Sequence, residues 1–313
     1  MSEHTKPQWE RNPGASVQAK LRNLSRATGS DTSLLLVRYL IERFLYRLSL
    51  SPHRERFILR GATLFSVWSD TPYRPTRDLD MLAMGDSSPE ALRQLLLDIC
   101  ATPVSPDDGV IFLPETLVVE ERTVGRAYQG LYVEVLAQLG SARPRLELDL
   151  SFGEAITPAP MEIELPALLD KPRPRLRAYP QETVIAEKTE ALVQLGLGNT
   201  RLKDFFDLWY LSHAFVFDGQ SLTNALKATF TRRNTAFPAD GLPEALTSAF
   251  SSDPIKQSQW ERFVSKIGSD QPAPALEALL HELRKFLQPL LAALSDDREL
   301  TAKWPPGGPW NAP

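Results

Sequence analysis

Two segments of this chain alternate charged with apolar side chains, and that alternation requires a β-sheet with one covered face and one open face. In Arg145–Phe152, Leu146, Leu148 and Leu150 fall on one side, and Glu147, Asp149 and Ser151 on the other. In Asp78–Ala83, Asp78 and Asp80 share a side while Leu79 and Met81 take the opposite one. Side chains at i and i+2 of a strand point the same way. The paired carboxylates therefore face one spot, and like charges held that close need a cation to offset them. Hard oxygen ligands of this kind suit Mg²⁺, which keeps several waters and shares substrate phosphates.

What precedes the acid pair fits the same chemistry. Leu59-Arg60-Gly61-Ala62-Thr63-Leu64 is a small-residue turn with a hydroxyl, and Arg74-Pro75-Thr76-Arg77 leads directly into Asp78. A turn of that kind followed by two acids can hold a nucleoside triphosphate together with its magnesium. Asp149 is the natural third carboxylate: if its strand neighbours the Asp78–Asp80 strand, all three acids converge. Taken alone, Asp149 reads as a surface residue on a half-exposed sheet.

The rest of the composition narrows the class. The 313 residues are 42% hydrophobic, ample for one large domain or two of ordinary size. Cys100 is the only cysteine, which excludes an intramolecular disulfide and a multi-cysteine zinc site and suits a reducing cytosol. Cys100 itself ends an apolar helix and reads as a small buried hydrophobe. Met1–Pro13 is polar, without the apolar core of a signal peptide, and no apolar run reaches membrane-spanning length. The expectation is a soluble, cytoplasmic protein with no membrane partner. A net charge of −4 argues against a surface coated for non-specific DNA binding. Arg173, Arg175 and Arg177, and separately Arg232 and Arg233, form basic clusters that could meet phosphates or simply decorate solvated loops.

Helical spacing predicts helices over Ser16–Ala27 and Thr32–Leu50, and a short strand at Phe57–Leu59 leads to a helix from Thr63 to Trp68. Asp78–Ala83 follows as a strand, and Ser88 with Pro89 opens a helix to Cys100. Strands are expected at Gly109–Leu113, Thr116–Arg122, Gly130–Leu139 and Arg145–Phe152. The composition shifts near Pro158 and Pro160, and prolines continue to Pro180. Beyond it, helices are predicted over Gln181–Leu195, Thr200–Phe215, Ser221–Thr231, Leu242–Phe250, Gln257–Ile267 and Ala273–Leu294. Leu195-Gly196-Leu197-Gly198 reads as a helix C-terminal turn with both glycines free to take positive φ. The expected fold class is α+β: a mixed β-sheet domain over residues 1–160, an α-helical domain over 161–300 completing the active site, and a Pro/Gly-rich tail over 301–313 that is disordered or packs as an irregular extension.

The helical half carries a second constellation. Glu182-Thr183-Val184-Ile185-Ala186-Glu187-Lys188 is followed by Ala191-Leu192 and then by Arg201-Leu202-Lys203-Asp204-Phe205-Phe206-Asp207-Leu208. Lys203 and Asp207 stand at i and i+4, so they could pair on one helix face. Lys188 alone reads as a snorkelling lysine.

Together the two constellations resemble the AbiEii/AbiGii toxin family, MenT-like nucleotidyltransferases of AbiE-type toxin–antitoxin systems within the polymerase-β superfamily. The resemblance runs from about Phe57 to Trp209. The Gly-turn motif is matched by Arg60–Thr63 and the acid motif by Thr76–Asp80. The Lys-x-x-Ala and Arg-x-Lys-Asp-x-x-Asp signatures fall on Lys188–Ala191 and Arg201–Asp207. Ala62 stands where a second glycine or a serine is usual, which leaves the turn's hydroxyl to Thr63.

The resemblance implies an Mg²⁺-dependent transfer of a nucleoside monophosphate from an NTP to an acceptor, most of all the 3′ end of tRNA, which blocks translation. It implies that Asp78 and Asp80, with Asp149, bind metal, and that Gly61, Thr63, Thr76 and Arg77 meet the nucleotide. Lys188 would neutralise triphosphate charge, and Asp204 or Asp207 would hold base or sugar, or orient Arg201 and Lys203. It also implies a cognate AbiEi-like antitoxin. Two other readings use the same motifs: a nucleotidyltransferase that modifies protein with AMP or UMP, and a non-catalytic partner-binding module on the same fold.

Overall fold

The computed structural model describes residues 12–69, 76–124, 128–267 and 273–311. Its internal contacts divide it into two units: residues 1–153 with 161–178, and residues 154–160 with 179–313.

The first unit opens on α1 (Pro13–Thr28) and α2 (Thr32–Leu50). Asp31 caps α2, accepting from the Ser33 and Leu34 amides at 2.6 and 3.2 Å. Then come β1 (Phe57–Arg60), a 3₁₀ turn at Gly61–Leu64, α3 (Phe65–Trp68), β2 (Asp78–Ala83) and α4 (Pro89–Ala101). β3 (Val110–Phe112), β4 (Val118–Val124), β5 (Tyr128–Leu139) and β6 (Arg145–Phe152) follow as predicted to within two or three residues. β7 (Met161–Glu164) and β8 (Arg175–Ala178) were not expected, because they lie inside the proline-rich stretch. Pro166, Pro172 and Pro174 sit in the connection between them, so neither strand loses a ladder donor.

The eight strands form one mixed sheet in the order β3-β5-β6-β2-β1-β8-β7, with β4 also paired to β5. β2 runs parallel to β6 and antiparallel to β1. Leu79, Met81, Leu146, Leu148 and Leu150 are at most 2% exposed, so the alternation read from the sequence does cover one face. Each such side chain contributes about 1.5–3 kcal/mol by leaving water. α2 supplies much of that cover through Leu35, Tyr39, Phe44 and Leu48. It is tied down by Arg47, which grips both oxygens of buried Asp108 at 2.6 and 3.0 Å. The arginines at 173, 175 and 177 pair with Glu164 and Glu55 rather than presenting a bare cationic surface.

The second unit is built from α5 (Gln181–Leu195), α6 (Leu202–Ala214), α7 (Gly219–Arg233), α8 (Ser248–Ser251), α9 (Pro254–Ile267) and α10 (Leu276–Ser295). The helix expected at Leu242–Phe250 is only a 3₁₀ turn at Glu244–Leu246 followed by α8, since Pro243 and Thr247 each break the run. Gly196 ends α5 with φ +48°, whereas Gly198 has no positive φ. The tail packs as an extension. β9 (Phe217–Asp218) pairs with β10 (Lys303–Trp304), and Trp304 is 2% exposed, its indole donating to the Ser212 carbonyl at 2.6 Å. Trp310 stacks on Phe286 at 5.9 Å.

Candidate active site

β1 pairs with β2 so that Arg60 lies opposite Asp80, and the chain turns off the sheet at the next residue. Gly61 has φ +73°. A Cβ built there would overlap Asp80 Oδ2 and stand 2.7 Å from Asp80 Cγ. Glycine is required on both counts, because an L side chain in this region costs about 1–2 kcal/mol before any clash. Gly61→Ala is therefore expected to displace the Asp80 carboxylate. Transfer activity should fall far more than the melting temperature does, and assay and thermal denaturation of one preparation check this.

Thr63 follows in the same turn. It is 8% exposed, and its Oγ1 is buried without a hydrogen-bond partner among the described residues. Buried hydroxyls are nearly always satisfied, which makes Thr63 a candidate to meet a ligand atom. Thr76 Oγ1 donates to the Asp78 carbonyl at 3.3 Å and fixes the entry to β2. Arg77, expected at the nucleotide, donates instead to Ser33 Oγ at 3.1 Å in the first turn of α2. Arg74 and Pro75 lie outside the described residues.

Asp78 is exposed and Asp80 half-buried, both on the open face. β6 brings Asp149 into register beside Asp80, and Glu147 beside Asp78. Arg122 of β4 reaches Asp149 at 3.4 Å. Partial burial, then the Asp80 charge, pushes the Asp149 carboxyl above the usual aspartate range, with Arg122 pulling the other way. Among the described residues no three acidic, histidine or cysteine groups are already closed into a metal cage. What the face offers is a set of oxygen donors on two adjacent strands that repel one another. That set fits a hard divalent cation.

The raised Asp149 pKa has a consequence for stability. The folded protein binds this proton more readily than the unfolded chain, so ionising Asp149 costs stability at neutral pH and nothing below the ordinary aspartate pKa. Asp149→Asn, without divalent cation, should melt above the parent at pH 7.5. The gain should shrink as pH falls through about 4. Melting curves across that range test it.

In the second unit, Lys188 of α5 places its Nζ 2.6 Å from Asp204 Oδ1 and 2.8 Å from Asp207 Oδ2, both on α6. The side chains are 13%, 1% and 0% exposed. Arg201 Nε adds a second cation, 2.8 Å from Asp204 Oδ2. Two buried carboxylates are thus matched by two cations, and Lys188 does not snorkel. The Lys203–Asp207 pair does not form: Lys203 is exposed on the outer face of α6, while Asp207 turns inward to Lys188.

Sequence reasoning missed a neighbouring network. Arg233 is no surface cation. It is half-buried at the end of α7, 3.1 Å from Glu154, 3.3 Å from Glu187 and 2.8 Å from Glu190, and Thr235 donates to Glu190 at 2.6 Å. Burial alone would weaken Arg233 as a base, but the three glutamates outweigh it and raise its pKa. Glu187 and Glu190 sit at i, i+3 on α5, which hints at a shared partner, but nothing local points to residue 233.

A glycine–hydroxyl turn against an acid pair, on an open mixed sheet and followed in sequence by a helical unit, defines a nucleotidyltransferase. The chain belongs to the AbiEii family of nucleotidyl transferase toxins of type IV toxin–antitoxin systems, whose sequence model matches residues 43–282. Membership makes it an enzyme that uses an NTP, and a toxin with an antitoxin partner. Among solved structures it is similar to JHP933 from Helicobacter pylori, at 17% identity and a TM-score of 0.47, over 86% of this chain and 95% of that one. A second H. pylori chain gives the same identity and score over 86% and 98%. No curated protein sequence matches it. No described helix is long and apolar enough to cross a membrane.

Proposed function

We propose that this toxin transfers a nucleoside monophosphate from an NTP to the 3′ end of a tRNA, uses Mg²⁺ to do so, and thereby stops translation in the cytoplasm. The observation that carries the reading is the open sheet face on which Asp78, Asp80 and Asp149 adjoin the Gly61–Thr63 turn. Asp78, Asp80 and Asp149 would hold a divalent cation there, which would supply charge neutralisation for the triphosphate and acidify the attacking hydroxyl.

The chain's own groups do the rest. The Gly61 backbone, kept bare of a Cβ, lets the Asp80 carboxylate lie against the turn, and the Thr63 hydroxyl donates to a phosphate oxygen. The acceptor hydroxyl gives up its proton to solvent as its oxygen bonds to the α-phosphorus, the bond from that phosphorus to the bridging oxygen breaks, and pyrophosphate leaves with the charge. For Lys188 we propose a part in binding the triphosphate, with Asp204 and Asp207 fixing its ammonium and Arg201 balancing the second carboxylate. An AbiEi-like antitoxin is the proposed partner.

Incubation with Mg²⁺, total tRNA and each labelled NTP in turn tests the acceptor. Label is expected in RNA for at least one NTP. Label on protein alone would favour the protein-modifying reading and overturn this one.

A further inference from the structure

The polar face of the sheet continues past Asp149. β5 sets Tyr132 opposite Asp149, and β4 sets Arg122 opposite Gly130, which carries no side chain. The Arg122 guanidinium lies over the Tyr132 ring, 4.0 Å from its centroid, while its Nη1 stands 3.4 Å from Asp149. The Tyr132 hydroxyl donates to Glu134 Oε2 at 3.1 Å, and Glu134 is held in turn by Arg145 at 2.9 Å. The ring is thereby anchored at its tip, and the guanidinium above it keeps 55% of its side-chain surface exposed. Across the strands the face reads in order: the Arg122–Tyr132 stack, Asp149, the Asp78–Asp80 pair, and the Gly61–Thr63 turn.

That order has a direction. In-line displacement at phosphorus puts the attacking and leaving oxygens on opposite sides of the transferred group. With the triphosphate tail at the Gly61–Thr63 end, the acceptor hydroxyl arrives from the Asp149 end, where the stack stands. A guanidinium laid on an aromatic ring presents a flat cationic surface, suited to a nucleobase and its phosphate. A serine or tyrosine hydroxyl on a protein would make no use of it.

We propose that Arg122 and Tyr132 form the acceptor-end subsite, on which the terminal base of a single-stranded nucleic-acid acceptor stacks. The inference rests on the reading of Asp78, Asp80 and Asp149 as the reaction centre.

The test uses the full chain and the variants Arg122→Ala, Arg122→Lys, Tyr132→Leu and Asp80→Asn. Fluorescence anisotropy measures binding of a labelled single-stranded RNA with a free 3′ hydroxyl in the absence of NTP, and steady-state kinetics gives KM for RNA and for NTP. Arg122→Ala and Tyr132→Leu are expected to raise Kd and KM for RNA about ten-fold or more, with KM for NTP held within about two-fold. Arg122→Lys keeps the charge but not the plane, so it should fall between. Arg122 is exposed, so its variants report even where Tyr132→Leu disturbs the strand.

Unchanged RNA affinity in both Arg122 variants would overturn the proposal, as would a rise confined to the KM for NTP. If the parent labels RNA, Asp80→Asn does not, and Arg122→Ala binds RNA normally, this inference alone fails. If the parent labels only protein, the acceptor reading and this inference fail together.

Discussion

Asp80→Asn is expected to lower nucleotidyl transfer by about three orders of magnitude, roughly 4 kcal/mol in the barrier, with the fold intact. Asp80 sits mid-strand on the open face, in register with Asp149 and against the backbone of Gly61. Amide for carboxylate preserves the shape and deletes one charged oxygen donor. Because that charge is one of those pushing Asp149 above the usual aspartate range, removing it relieves repulsion. The rise in melting temperature that Mg²⁺ gives the parent, by binding the folded state alone, should disappear. Asp78→Asn should act in the same direction. An Asp80→Asn protein that still transfers within ten-fold of the parent would contradict the metal-binding role of Asp80, and one that no longer transfers yet still arrests growth on overexpression would favour the binding-module reading.

The second large effect belongs to Lys188. Lys188→Met leaves Asp204 and Asp207 buried at 1% and 0% exposure with their shared cation gone. Removing one member of a buried ionic cluster typically costs about 3–5 kcal/mol. For a chain of this size the melting temperature should drop by on the order of 10 °C. Adding Asp204→Asn and Asp207→Asn to Lys188→Met removes the carboxylate charges that the lysine offset and should recover most of that loss. Activity then separates the two roles of the lysine. A purely structural Lys188 predicts that the triple variant regains transfer along with stability. The proposed part in triphosphate binding predicts a stable triple variant whose KM for NTP stays raised by ten-fold or more.

Local pattern carried the sheet face, and distance in sequence concealed the rest. The period-2 alternations at Asp78–Met81 and Arg145–Phe152 predicted which residues are buried, because burial of one face is what fixes strand register. Whether those two strands are neighbours was invisible: their parallel pairing joins residues about seventy apart, and no local signal encodes it. β7 and β8 were hidden because the prolines that break the intervening connection dominate the composition of the whole stretch. Lys203–Asp207 followed the i, i+4 rule, but the rule ranks surface pairs worth a few tenths of a kcal/mol. A buried ammonium from another helix outweighs that. Arg233 was misread for the same reason: a basic pair at a helix end looks solvated until three glutamates from distant positions close on it. Thr63 was legible as a hydroxyl in the right turn, but its burial without a partner among the described residues was not.

The most direct test of the central claim is the stoichiometry of the reaction itself. The protein is mixed with Mg²⁺, tRNA and the NTP that labels it, and pyrophosphate released is counted against nucleoside monophosphate gained by the RNA. The account predicts one pyrophosphate per nucleotide incorporated, dependent on RNA and lost in Asp80→Asn. Release of orthophosphate in place of pyrophosphate, or pyrophosphate released without RNA gaining a nucleotide, would contradict it.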